Sequence, residues 1–269
     1  MLKVTRYTVN SPKIEKMFDN FKIVQLSDLH GRLFLNNYRC ILEILETLSP
    51  DIVVLTGDMA DNRLKWSIEH AELLCELVAR EFVTYFVQGN HEQTMRPDEL
   101  RGFLGNLKGS GVCVLDNKKS VITRDSAKIV LIGLVTPIEF YNDPLHEYRK
   151  GTFLGVGDMS RLLGNVDGRR YNILVTHNPI FFETYSAWGA DLVLSGHIHG
   201  GVICIPGVGG LLSPDVTFFP KYYAGEYEWE ESRMIVSRGL NNRFLFSITN
   251  PSEIVCITLR SGEKIKWIE

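Results

Sequence analysis

Apolar and polar positions along the chain fall into two alternating textures. Nearly continuous runs of β-branched and apolar residues, Phe21 to Ser27, Asp51 to Thr56, Phe82 to Gln88, Lys128 to Gly133, Tyr171 to Thr176 and Ala190 to Ser195, predict strands. Their lack of a polar face predicts a sheet covered on both sides. Between them, apolar residues recur at helical spacing from Tyr38 to Leu48, stopping before Pro50, and from Trp66 to Arg80, with a third helix over Pro97 to Leu107. After residue 200 the texture changes to short alternating strands, Arg233 to Ser237, Glu253 to Leu259 and Lys264 to Ile268, which are expected to supply much of a second sheet. The pattern predicts an α/β fold with no internal repeat. A chain of 269 residues that is 45% hydrophobic can bury a large core as one domain spanning 1–269.

The candidate chemistry sits where the strand runs end. Asp28-Leu-His30, Gly57-Asp58, Gly89-Asn90-His91, His177 and Gly196-His197-Ile-His199 each follow directly on such a run. Strands deliver their last residues to one edge of a sheet, so widely separated motifs can meet there. Two carboxylates (Asp28, Asp58), one amide (Asn90) and four imidazoles (His30, His177, His197, His199) would then converge. This mixed nitrogen and oxygen set, without thiolate, suits borderline divalent metals such as Mn, Fe, Zn, Co or Ni. Buried together without a cation, those groups would carry a heavy desolvation cost. His70 and His146 lie outside any motif and read as ordinary polar groups.

The set D-x-H, G-D, G-N-H-E, H and G-H-x-H resembles the calcineurin-like metallophosphoesterase superfamily, over roughly residues 20 to 200. The resemblance implies a four-layer α/β/β/α sandwich with two mixed β-sheets and a dinuclear metal site at the strand C-terminal ends. It also implies that Asp28, His30, Asp58 and His199 hold one metal, that Asp58, Asn90, His177 and His197 hold the other, and that Asp58 bridges. The tail, Gly200 to Pro206, Phe219-Pro-Lys-Tyr222 and Gly225-Glu-Tyr227, is similar to the YkuE-like bacterial branch, which includes relatives linked to hydrolysis of UDP-diacylglucosamine-type lipids. Two stretches depart from the branch. Leu134-Val-Thr-Pro137 stands where many relatives have an acidic pair, and Gly31-Arg32 stands where relatives often have Leu-Gly, which brings Arg32 toward the substrate.

Charge narrows the function. A formal net charge of −3 gives no basic footprint for long nucleic acid. Two divalent cations against the carboxylates of Asp28 and Asp58 and one bridging hydroxide leave about one positive charge, for which phosphate is the natural guest. The expected activity is a metal-dependent phosphate-ester hydrolase, foremost a phosphodiesterase in which the metal-bridging hydroxide attacks phosphorus in line. A nucleotide-linked lipid or another small organic phosphodiester would be its substrate. His91, beside ligand Asn90, would protonate the leaving oxygen. A phosphomonoesterase acting on phosphoprotein or metabolites is the alternative, and a non-catalytic binding scaffold the remote one.

Loops 135–159 and 200–225 have the composition of lids, and Phe218 and Phe219 in the second are expected to contact an apolar or planar part of the substrate. The five dispersed cysteines, Cys40, Cys75, Cys113, Cys204 and Cys256, read as reduced core thiols. The first residues form no signal-peptide apolar region, and no stretch approaches the ~20 apolar residues of a membrane span, so the expectation is a cytoplasmic protein with at most peripheral membrane contact. Oligomeric state is left open by the sequence.

Overall fold

In chain order the computed structural model contains β1 (Lys3–Ser11), β2 (Lys22–Leu26), α1 (Leu35–Leu48), β3 (Ile52–Leu55), α2 (Lys65–Glu81), β4 (Thr84–Phe86), α3 (Asn90–Gln93), α4 (Pro97–Gly109), β5 (Cys113–Val114), β6 (Lys119–Arg124) and β7 (Ala127–Leu134). There follow α5 (Val156–Leu163), β8 (Tyr171–Thr176), α6 (Phe182–Trp188), β9 (Leu192–Ser195), β10 (Ile203–Ile205), β11 (Gly209–Leu212), β12 (Gly225–Trp229), β13 (Ser232–Val236) and β14 (Glu253–Ser261). The structure describes residues 2–31, 35–141, 153–201, 203–205, 209–212, 217–240 and 251–263.

Two six-stranded mixed sheets, in the orders β1-β14-β2-β3-β4-β5 and β12-β13-β9-β8-β7-β6, lie face to face, and β10-β11 forms a separate hairpin. The period of two in each strand decides which layer a side chain enters. In β3, Ile52 and Val54 point between the sheets while Val53 and Leu55 point outward under α1, α2 and α4, where Leu45, Leu74 and Phe103 meet them. In β8 and β9, Ile173, Val175, Leu192 and Leu194 fill the space between the sheets, and Leu174 and Val193 pack outward on Phe182, Tyr185 and Trp188 of α6. Three buried clusters thus separate four layers, helix, sheet, sheet, helix. This is the predicted sandwich, and the continuous apolar runs are its doubly covered strands.

Several expectations need correction. The five motif-bearing strands do not share one sheet: β2, β3 and β4 belong to the first and β8 and β9 to the second, so the motifs meet across the junction of two strand-end edges. Of the C-terminal strands, β13 joins the second sheet, but β14 enters the first, parallel to β1 and antiparallel to β2. Its two faces are both buried, Val255, Ile257 and Leu259 between the sheets and Ile254 and Cys256 toward the helices, which demands a place with neighbours on both sides. Cys75 and Cys256 are buried free thiols as expected, whereas Cys40 and Cys113 are free and exposed. Arg32, His146 and the run Lys264 to Ile268 lie outside the described residues, and so does the side chain of Cys204. No helix among the described residues is long and apolar enough to cross a membrane.

Candidate metal centre

Each strand end delivers its side chains by a sharp turn. Asp28 (φ 53°), His30 (50°), Asp58 (51°), His197 (74°) and His199 (54°) all adopt left-handed backbone, which ordinary L-residues avoid. The turns are laced together: Asp28 N–H donates to Gly57 O at 3.1 Å, His30 N–H to Asp58 O at 2.9 Å, and Gly196 N–H to His177 O at 3.1 Å. At Gly57 (φ 90°) and Gly196 the approach leaves no room for a side chain, since a Cβ on Gly196 would lie 2.1 Å from Ser27 Oγ and 2.4 Å from Asp28 Oδ2. Gln25 ties the two sheets beneath the centre, its Nε2 donating to Thr56 Oγ1 at 3.1 Å and to Ser195 O at 2.8 Å.

The structure brings the sequence-predicted ligands together in two groups, and a third group joins His30 and His91 with Asp61. In one, Asp28, His30 and His199 present donor atoms within 4.8 Å of one another, and in the other Asp58, His177 and His197 do the same. His30 Nε2 stands 3.2 Å from His199 Nε2, and His199 Nε2 stands 3.4 Å from Asp28 Oδ1. Asp58 Oδ2 lies 3.1 Å from His177 Nε2, while Asp58 Oδ1 accepts the His91 N–H at 2.9 Å. His177 is oriented from behind by Nδ1–H donating to Thr56 O at 2.7 Å, and the Asp28 carboxylate by the N–H of His197 at 3.1 Å and the hydroxyl of Ser27 at 2.5 Å. Among the described residues, Asn90 Oδ1 and His197 Nε2 are buried without a hydrogen-bond partner. Such orphans are rare, and here they lie among carboxylates and imidazoles. The donor set therefore fits divalent cations, which would complete these coordination-ready atoms.

Burial and the carboxylates set the protonation of the imidazoles. Burial pushes His30, His197 and His199 below the usual histidine range, the neutral form that metal binding requires. Burial acts the same way on His177, but the Asp58 and Asp28 carboxylates override it and raise its pKa to about 10. His91 is part-exposed at the rim, its Nδ1 3.5 Å from Asp61 Oδ1 and its Nε2 3.9 Å from Asp58 Oδ2. Against its burial, those two carboxylates raise its pKa.

Three groups in the centre were missed from sequence. Glu92 is fully buried, and its carboxylate accepts the backbone N–H groups of Asp58 (2.9 Å), Gly89 (2.9 Å) and Ala60 (3.1 Å), joining the turn that carries Asp58 to the turn that carries Asn90. Its place at the end of G-N-H-E was the available signal. Asp61 is held in a bidentate pair by Arg63, Nε and Nη2 each at 2.9 Å, and faces His91. Burial would raise its carboxyl, yet its contacts with His91 and Arg63 hold it far below the usual range. Tyr141, expected in a lid, is buried edge-on against His197 with ring centroids 5.0 Å apart. Phe218 and Phe219 are 68% and 65% exposed.

Comparison with known proteins agrees with this geometry. Residues 21–201 match the calcineurin-like phosphoesterase family, and the chain belongs to it. It is 28% identical over 266 residues to the metallophosphoesterase YkuE of Bacillus subtilis, a match covering 97% of this chain and 86% of YkuE. It is 26% identical to phosphodiesterase YaeI of Escherichia coli, covering 89% of this chain and 82% of that one. The phosphopantetheinyl hydrolase PptH of Mycobacterium tuberculosis shares the fold, with TM-score 0.53 and 14% identity over 85% of this chain and 92% of that one. The protein is accordingly a metallophosphoesterase, a hydrolase of a family that works with two divalent metal ions.

Proposed function

We propose that this centre hydrolyses small organic phosphodiesters, with Asp28, His30, Asp58 and His199 holding one cation, Asp58, Asn90, His177 and His197 the other, and His91 protonating the leaving oxygen. The observation that carries the reading is the convergence of two donor groups, each drawn from both sheets, at one junction, with His91 beside Asp58 of one and His30 of the other. Borderline cations, Mn, Fe, Zn, Co or Ni, suit these donors. When bound, they neutralise phosphoryl oxygens and lower the pKa of the attacking water.

The chain's own residues do the rest. Asp58 has two oxygens to share: Oδ1 is held by the His91 N–H against Gly89, and Oδ2 faces His177. His91 directs Nδ1 toward Asp61 and Nε2 inward, so the proton reaches the leaving group from Nε2. The neighbouring carboxylates raise its pKa and keep that proton available. Asp61 fixes the ring and is itself fixed by Arg63. The phosphodiesterase name of YaeI supports a diester over a monoester.

The test is parallel turnover of bis-p-nitrophenyl phosphate and p-nitrophenyl phosphate by Mn-loaded protein, with metal analysis of wild type, Asp58→Asn and His197→Ala. Faster diester turnover and reduced metal content in both variants are expected. A preference for the monoester would make the enzyme a phosphatase, and wild-type metal content in both variants would refute the ligand assignment.

A further inference from the structure

Next to the centre, on the side of α6, lies a cavity of about 250 Å³. It is lined by Ile180, Ile198, Pro220 and Tyr222, together with Thr217, Glu183 and Lys221. Each apolar wall is joined to a metal-centre turn. Ile198 stands between His197 and His199, Ile180 follows His177 by three residues, and the segment bearing Pro220 and Tyr222 is anchored where Gly200 N–H donates to Tyr223 O at 3.0 Å.

The cavity is poorly suited to a second phosphate. The Lys221 ammonium is paired with Glu183 and lies over the rings of Tyr222 and Trp229, 5.0 and 5.1 Å from their centroids, while the Tyr222 hydroxyl donates to Glu183 at 2.9 Å. What is left facing the space is mainly apolar, Ile180, Ile198, Pro220 and the Tyr222 ring, with Thr217 the polar exception. Just outside it, Phe218 and Phe219 stand 68% and 65% exposed, and Phe219 has φ 51°, a left-handed conformation unusual for a bulky residue. Two adjacent exposed rings form an apolar patch rather than a scattered single residue, and strain in a loop beside a reactive centre is a functional pointer.

Resting on the phosphodiesterase reading above, we infer that this cavity receives the apolar alkyl or aryl part of the substrate ester while its phosphoryl group sits at the metal centre. The occupant is a small amphiphilic phosphate ester. Phe218 and Phe219 extend the apolar path for groups longer than the cavity.

The test is isothermal titration calorimetry of Mn-loaded protein with inorganic phosphate and with n-alkyl phosphates from methyl to hexyl. Affinity is expected to rise about three- to fourfold per added methylene until the cavity is full. Ile180→Trp, which fills the space from its partly exposed rim, should abolish that rise and leave binding of inorganic phosphate unchanged. Ile180→Ala should carry the rise on to longer chains. Equal affinity along the series, with phosphate still bound, overturns the cavity's role and leaves the phosphoesterase reading standing. Failure of every member to bind, phosphate included, overturns both. A flat series together with binding to phosphatidylcholine vesicles that Phe218→Ser/Phe219→Ser abolishes assigns the patch to a lipid surface and likewise overturns the small-molecule occupant.

Discussion

Replacing Glu92 by Gln separates what the centre costs the fold from what it gives to metal binding. The side chain is fully buried, with three backbone N–H donors against it and the His177 imidazolium near enough to act on it. Burial, reinforced by the Asp58 carboxylate, raises its pKa to about 7. Between the ordinary titration near 4.5 and this value the folded metal-free chain binds more protons than the unfolded chain, so stability falls as pH rises. The contribution is fully present below 4.5, is lost as pH passes 7, and amounts to about 3 kcal/mol. Gln reproduces the shape and neutrality of the protonated acid and does not titrate, but its NH2 cannot accept a backbone N–H as the oxygen it replaces does.

Urea denaturation of chelator-treated protein reads this difference. Near pH 5 Glu92→Gln, which leaves a buried N–H facing an NH2, should be the less stable by about 1–3 kcal/mol, and between pH 5 and pH 8 the difference should move toward the variant by about 3 kcal/mol. Metal binding should move the other way. Without the carboxylate, the three N–H donors of the Asp58 and Asn90 turns face one oxygen and an NH2 that cannot accept, and the negative charge behind the ligands is gone. Affinity should fall by about the 10–100-fold typical of groups that support ligands from behind. A stability difference that stays constant from pH 5 to pH 8, or a variant that binds Mn as tightly, would refute the reasoning.

His91→Ala should keep both metals yet slow turnover by about 10²–10⁴-fold, with a smaller loss for p-nitrophenyl esters, whose leaving oxygen needs little protonation; loss of metal would make His91 a ligand. Because burial of His177 is overridden by Asp58 and Asp28 and its pKa stands raised to about 10, its stabilising contribution is present below ~6.5 and lost as pH rises through about 10. Loading metal at pH 8 should therefore displace about one proton from this site, measurable by calorimetry in buffers of different ionisation enthalpy, and proton-neutral loading would contradict the assignment. Gly196→Ala places a Cβ 2.1 Å from Ser27 Oγ and should destabilise the protein by about 1–3 kcal/mol and displace Asp28, so unaltered melting and metal content would count against the packing described.

The doubly covered strands and the longer amphipathic helices were legible because their period is strong: α1, α2 and α4 fall within a few residues of their predicted spans. Shorter elements were not. α6 has seven residues, five of them buried, so it shows no polar face from which a helical period could be read. β1 is an edge strand of mixed polarity with a single neighbour, β14, and only Val9 of its residues is buried. Which sheet a strand joins depends on partners far away in sequence, and β14 carries no local mark of its place between β1 and β2.

The centre divides along a similar line. Its donor residues announced themselves by type and by position at strand ends, whereas Glu92, Asp61 and Tyr141 act through backbone amides, a neighbouring ring and packing, none of which has a spacing of its own. The left-handed residues explain why local rules stop here. Asp28, His30, Asp58, His197 and His199 each occupy a conformation that costs about 1–2 kcal/mol, several kcal/mol across the five. Such strain persists only where its surroundings over-determine it. Those surroundings are the three buried clusters, the sheet-to-sheet bonds of Gln25 and the Glu92 carboxylate, so the strand cores hold in place a set of turns that no isolated segment of this chain would adopt.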